Sequence, residues 1–138
     1  MAPIVPVVIG VGEIVNRSLK LEDGLEPSEL ILRAIQNALS DAGISQAGQS
    51  KLQSSIDSIA VVRTWTWPYP DLPGLLCSKL GVDPTHKEYT DHGGNQAGRI
   101  FDEAARRIAQ NKCNVAVVTG GEALASCMYT RSTSRRPG

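Results

Sequence analysis

The residue types best suited to chemistry stand together in one run, His92-Gly93-Gly94-Asn95-Gln96-Ala97-Gly98. Adjacent glycines let the backbone approach a ligand closely, and the first turn of a following helix directs free N–H groups toward it. The run therefore has the form of a cradle for an oxyanion or a phosphate. A tight turn from strand to helix, with Asn95 as the helix cap, explains the same residues. The residue pattern leaves both interpretations open.

Other familiar catalytic patterns do not occur in the sequence. Gly10-Val11-Gly12 begins like a dinucleotide fingerprint, but the third glycine is missing and Glu13 stands where a pyrophosphate would lie. No GxSxG nucleophile elbow is found, which excludes the usual serine hydrolase arrangement. A nucleophilic Cys127 paired with His92 ranks below a thiol without a catalytic role. The cysteines have no CxxC spacing, so neither a metal site nor a disulfide framework is indicated: Cys77, Cys113 and Cys127.

Composition and charge narrow the possible partners. The chain has 138 residues, and its 14 basic and 14 acidic side chains cancel to a net charge of zero. A neutral chain favours neither nucleic acid nor an anionic membrane surface as a partner. No apolar run approaches the roughly 18 residues that a membrane span needs. The apolar start lacks the features of a signal peptide and the last three residues are not a peroxisomal signal, so we expect a cytoplasmic protein.

Predicted strands and helices alternate along the chain and determine where these residues lie. Apolar β-branched runs predict buried strands, and apolar residues at helical spacing predict helices that end at glycine or polar residues. This alternation predicts an α/β domain with a mainly parallel sheet and a ligand crevice at the carboxyl ends of its strands. We predict strands at 5–11, 56–62, 87–90 and 115–118, helices at 27–42, 75–80 and 95–110, and a polar connector at 46–55.

Two further segments have an unusual composition. The loop at 63–73 contains Trp65, Trp67 and three prolines, and its aromatic side chains either line a pocket or cover the loop. Serine, threonine, arginine and proline dominate the end of the chain. We therefore predict one domain over 1–125 and a disordered tail over 126–138.

Two motifs resemble the amino-terminal half of thiolase-like acetyl-CoA acetyltransferases, members of the thiolase superfamily. Val7-Val8-Ile9-Gly10-Val11-Gly12 is similar to the opening strand of that family, and Ala116-Val117-Val118-Thr119-Gly120-Gly121-Glu122-Ala123-Leu124 is similar to its fourth strand and glycine turn. The resemblance implies an incomplete thiolase-like N-terminal half-domain, in which a layered, mainly parallel sheet has flanking helices. It also implies that the strand around 87–91 lies at a sheet edge that pairs in a dimer, and that 115–118 lies beside the first strand.

The resemblance also implies where chemistry would take place. In active thiolases a nucleophilic cysteine begins the helix 25 residues before the first glycine of the turn, and in this chain Asn95 holds that position relative to Gly120. An asparagine amide cannot replace a thiolate as nucleophile, so we expect impaired acyl transfer. Asn95 and His92 are the candidate catalytic residues. The candidate substrate-binding residues are Trp65, Trp67, Gly93, Gly94, Gln96, Gly98, Gly120 and Gly121.

Three functions remain open at this point. The first is an acyl-CoA metabolism protein that takes a coenzyme A thioester as substrate and binds no cofactor or metal. The second is a non-catalytic binding or assembly subunit, as a homodimer or with a thiolase-fold partner. The third is a truncated product without an independent function.

Overall fold

The computed structural model describes residues 2–125. The predicted disordered tail at 126–138, together with Cys127, lies outside the described residues. A short 3-10 turn at Leu21–Asp23 precedes seven regular elements. These are α1 (Pro27–Asp41), α2 (Gln46–Ser54), β1 (Ser58–Val61), α3 (Leu72–Leu80), β2 (His86–Tyr89), α4 (Gln96–Ala109) and β3 (Ala116–Thr119).

The strands form a parallel sheet in the order β2-β1-β3, which confirms the predicted α/β class with a mainly parallel sheet. Ser58 of β1 is level with His86 of β2 and Ala116 of β3. The central strand β1 is buried along its whole length, as expected of a strand covered by helices on both faces. β2 lies at one edge of the sheet, where the sequence placed the strand around 87–91.

The core lies between β1 and the two helices α1 and α3. Pro27 suits the first turn of α1 because that position needs no N–H donor, and the helix ends one residue before the predicted limit. α3 begins at Leu72 instead of residue 75, because the Asp71 carboxylate accepts the Gly74 N–H and caps the helix. Gly81 ends α3 in the left-handed conformation. The buried cluster consists of Ile31, Leu32, Ile35, Ile59, Val61, Leu72, Leu76, Cys77 and Leu80.

The prediction of a connector at 46–55 is wrong, because this segment forms α2. The segment has few apolar residues, and none of its side chains is fully buried. Its helix is stabilised by local bonds: the Ser45 hydroxyl accepts the Gly48 N–H at 3.1 Å. The Gln53 side chain also donates to the Leu80 carbonyl at 2.7 Å, which joins α2 to the end of α3.

The prediction of a strand at 5–11 is also wrong for this structure, since the segment is irregular and exposed. Gly10 and Gly12 lie directly against the backbone of Ala38 and Ala34 in α1, where a Cβ atom would collide. The Val11 N–H donates to Asp41 rather than to a strand. As a result, the sheet has three strands among residues 2–125, and β3 pairs with β1 instead of with the segment 5–11.

A cavity of about 430 Å³ lies between the segment 5–11 and β3. One wall of this cavity is formed by the α4 residues Phe101, Ala104, Ala105 and Ile108, of which Phe101 is 55% exposed. Within residues 2–125, no helix combines the length and the apolar character that crossing a membrane would require.

Candidate functional site

The loops that follow the three strands meet at the carboxyl end of the sheet, where ligands bind in open α/β folds. At their meeting point the indole of Trp65 stacks on the imidazole of His92, with ring centroids 4.0 Å apart and a tilt of 36°. Trp65 is 73% exposed, and His92 is exposed as well. An exposed aromatic pair at this place offers a flat surface to a ligand.

The loop after β1 is fastened to the end of β2 by Arg63. Its backbone N–H donates to the Thr90 hydroxyl at 3.0 Å, and its Nε donates to the Thr90 carbonyl at 2.7 Å. The guanidinium lies 4.0 Å from the centre of the Tyr89 ring, a favourable cation–π contact. Arg63 therefore brings the loop that carries Trp65 next to the loop that carries His92.

Asn95 occupies the residue before α4, but its side chain makes no capping hydrogen bond. The alternative interpretation, in which Asn95 serves only as the cap of this helix, therefore has no support in its side-chain hydrogen bonds. Its Oδ1 lies against Gly93, and Gln96 is engaged by Arg99, whose Nε donates to Oε1 at 2.7 Å. Asn95 is exposed at the mouth of the site.

The first turn of α4 leaves backbone donors open. Within residues 2–125, the N–H groups of Ala97 and Gly98 have no hydrogen-bond acceptor, as is usual for the start of a helix. No heavy atom lies within 4 Å of the Cβ position at either Gly94 or Gly98, so a ligand meets no obstacle there. These donors, together with the positive end of the helix dipole, favour a carbonyl oxygen or an anionic group as a ligand.

Other predicted site residues are placed differently. A Cβ at Gly120 would press on Val62, and a Cβ at Gly121 would press on Ile31, so both glycines are needed for packing at the turn. Trp67 stacks on Tyr69 at 6.5 Å, and its Nε1 donates to the Ala123 carbonyl at 3.5 Å. The structure brings the rings of Trp65 and His92 together, whereas the Trp67 ring contacts Tyr69 and the Ala123 carbonyl. The substrate-binding roles of all these residues stay predictions.

Glu122 belongs to the same site, although it was not among the predicted site residues. Its carboxylate accepts hydrogen bonds from the backbone N–H groups of Trp65 and Thr66 and from the Thr66 hydroxyl. The sequence nevertheless indicates that Glu122 lies near the site, because this carboxylate directly follows the glycine pair after a predicted strand. Polar residues at that position in a parallel sheet face the ligand crevice.

The described thiols are not part of this site. Cys77 and Cys113 are both buried, and burial raises the pKa of each thiol because it disfavours the thiolate. Among residues 2–125, no cluster of three or more histidine, cysteine or acidic side chains is suited to hold a metal ion.

The fold is similar to that of a solved thiolase-like structure. A monomeric SCP2-thiolase-like protein type 1 from Mycobacterium smegmatis superposes with a TM-score of 0.72 and 26% identity, over 88% of this chain. The match covers 24% of that structure, so this chain spans about a quarter of its length. A variant of OleA from Xanthomonas campestris matches with a TM-score of 0.48 and 17% identity, over 65% of this chain and 25% of its own. No protein-family model and no curated protein sequence matches the chain.

The chain therefore has a thiolase-like α/β fold, and the resemblance found in its sequence motifs is confirmed. The similarity extends over most of the described residues and includes the parallel sheet and its flanking helices.

Proposed function

We propose that this protein binds acyl-CoA thioesters at the carboxyl end of its sheet. The observation that carries the proposal is the open start of α4, with its free N–H groups at Ala97 and Gly98, beside the exposed stack of Trp65 on His92. The N–H groups would polarise the thioester carbonyl, as an oxyanion hole does. The aromatic pair would contact the remainder of the ligand. The thiolase-like fold supports this choice of ligand class.

We further propose that the chain is related to acetyl-CoA acetyltransferases but does not turn its ligand over. Asn95 can hydrogen-bond to an acyl group, but its amide nitrogen has no available lone pair for attack on the carbonyl. Cys77 and Cys113 are buried, and burial raises the pKa of each thiol and so disfavours the nucleophilic thiolate. His92 remains the candidate for moving a proton at this site.

A second candidate function is that of a binding or assembly subunit. Among residues 2–125, β2 has a neighbouring strand on one side, so its outer edge could pair with a strand from a second copy or from a thiolase-fold partner. This pairing would continue the sheet across a two-fold axis. Sedimentation velocity at micromolar concentration tests it: a dimer supports the assembly function, and a monomer contradicts the homodimer.

Calorimetric titration with acetyl-CoA tests the proposed ligand. We expect saturable binding to the full chain and a loss of about fivefold in affinity for His92→Ala, since one aromatic contact is worth on the order of 1 kcal/mol. His86→Ala is the matched control, because His86 is the other histidine of the chain and lies at the start of β2, at the opposite end of the sheet. Absence of saturable heat at millimolar acetyl-CoA contradicts the proposal. Cleavage of acetoacetyl-CoA above the level of the doubly substituted His92→Ala, Asn95→Ala chain would contradict the lack of turnover.

A further inference from the structure

Glu122 has a role that neither the predicted site nor the thiolase-like fold assigns to it. Its side chain turns back from the end of β3 toward the loop after β1. There its carboxylate accepts the N–H groups of Trp65 and Thr66, the latter at 3.1 Å, and the Thr66 hydroxyl. Carboxylate acceptors make the stronger class of hydrogen bond. One side chain thus fixes two successive residues of the loop, 56 and 57 positions earlier in the chain.

The neighbouring residue extends this attachment. The Ala123 N–H donates to the Thr66 hydroxyl oxygen at 3.5 Å, and the Ala123 carbonyl accepts from the Trp67 ring at 3.5 Å. Ala123 is itself buried, with 7% exposure, so it forms a fixed base for these bonds. The loop is therefore bonded to the end of β3 through three consecutive residues, Trp65, Thr66 and Trp67.

The attachment matters because the Trp65 ring has little packing of its own. The ring is largely exposed, and it contacts the ring of His92. An exposed side chain on a loop samples several rotamers unless its backbone is held, and ordering it on binding costs free energy. The bonds from Glu122 hold the Trp65 backbone in the position from which the indole reaches His92.

We propose that Glu122 is a positioning residue of the acyl-CoA site, which holds Trp65 over His92 before the ligand arrives. This inference rests on the proposed function. A carboxylate close to an anionic CoA ligand would repel it through charge alone, so removal of that charge would strengthen binding. Positioning predicts the opposite sign, since Glu122→Ala frees the loop. Glu122→Gln keeps one acceptor oxygen and removes the charge, which separates the two effects.

Nuclear magnetic resonance measures the position of Trp65 without any ligand. The indole ring current displaces the ring-proton resonances of His92, and His86 serves as the internal reference in the same spectrum. We expect the displacement to vanish in Trp65→Ala, to fall by more than half in Glu122→Ala, and to be largely kept in Glu122→Gln. Thr66→Val removes the hydroxyl bonds to Glu122 and Ala123 and keeps the backbone N–H bonds to Glu122, so it should give an intermediate value. Glu29→Ala is the matched control, because that carboxylate pairs with Lys79 on the helical layer.

Calorimetric titration with acetyl-CoA then tests the effect on binding. We expect Glu122→Ala to weaken binding about three- to tenfold, and Glu122→Gln to weaken it less, in line with the cost of ordering one or two side chains. An unchanged His92 displacement in folded Glu122→Ala overturns the positioning role, and so does tighter binding in both variants. If the parent chain does not bind acetyl-CoA while the displacement responds as expected, the proposed function fails and the hold of Glu122 on Trp65 stands. Circular dichroism establishes that each variant is folded.

Discussion

The carboxylate of Asp57 accepts the backbone N–H of Val115 at 3.0 Å, across 58 positions of the chain. The same carboxylate also accepts the N–H of Asn114 at 2.9 Å, and the Asp57 N–H donates to the Val115 carbonyl at 3.1 Å. Asp57 directly precedes β1, and Val115 directly precedes β3. One side chain therefore aligns the beginnings of the two strands whose opposite ends carry Trp65 and Glu122.

Removal of this carboxylate should destabilise the sheet. We expect Asp57→Ala to lower the free energy of unfolding by about 1–3 kcal/mol, because two backbone donors lose a charged acceptor. Asp57→Asn should cost less, since the amide oxygen still accepts one N–H. Urea denaturation measures both. Equal stability of Asp57→Ala and the parent chain would show that these bonds do not hold the strands in register.

The core around α3 should respond to truncation much more strongly than the surface. Leu76 is fully buried, so we expect Leu76→Ala to cost about 2–5 kcal/mol in urea denaturation. Leu19 is 86% exposed and provides the same substitution at the surface, where Leu19→Ala should change stability by about 0.5 kcal/mol or less. Comparable losses in the two variants would contradict the position of the core between β1, α1 and α3.

The buried thiols should react slowly and should make stability depend on alkaline pH. Burial raises the pKa of Cys77 and Cys113 in the folded chain, so the unfolded chain releases these protons first. Stability should therefore be unaffected below the thiol pKa of an unfolded chain, about 8.5, and should fall as the pH rises through that value. Peptide mass spectrometry after brief iodoacetamide treatment at neutral pH should find both cysteines unmodified until urea is added. Rapid modification of either in the folded chain would contradict its burial.

Much of the fold follows from local patterns, as α1 illustrates. Ile31 and Ile35 recur at helical spacing after a proline and precede Gly43, so a helix with one buried face was predictable. β1 and β3 were predictable because their apolar runs are short and bounded by polar residues or glycine. β2 contains mostly polar residues, and its prediction depended on its position before the glycine pair at 93–94. The start of α3 was placed three residues late, since a cap by Asp71 depends on the rotamer of one side chain.

The sequence-based predictions fail where one residue pattern is compatible with more than one structure. The β-branched residues at 5–11 suit a strand, but Gly10 and Gly12 also permit close contact with the backbone of α1, which the segment makes instead. α2 lacks the apolar periodicity on which a helix prediction depends. The site follows the same rule: the run from His92 was predictable as a strand-to-helix junction, whereas the bonds of Glu122 to Trp65 join residues that are distant in sequence. No local pattern contains that pairing.

In the proposed site an acyl thioester places its carbonyl at the start of α4, and the variant Asn95→Cys tests this placement. A thiol there lies at a helix amino terminus, which lowers its pKa. The thiolate would attack the acetyl carbonyl of acetyl-CoA, forming a new carbon–sulfur bond, while the CoA thiolate leaves and takes up a proton. Gln110→Cys is the matched control, since it places a thiol at the opposite end of the same helix.

Peptide mass spectrometry gives the rate of acetylation at each introduced thiol. We expect acetylation in Asn95→Cys to be at least about tenfold faster than in Gln110→Cys, because bound substrate presents its carbonyl to the first thiol alone. We also expect free CoA to slow the reaction of Asn95→Cys and to leave that of Gln110→Cys unchanged. Equal rates in the two variants, unaffected by CoA, would contradict acyl-CoA binding at this site.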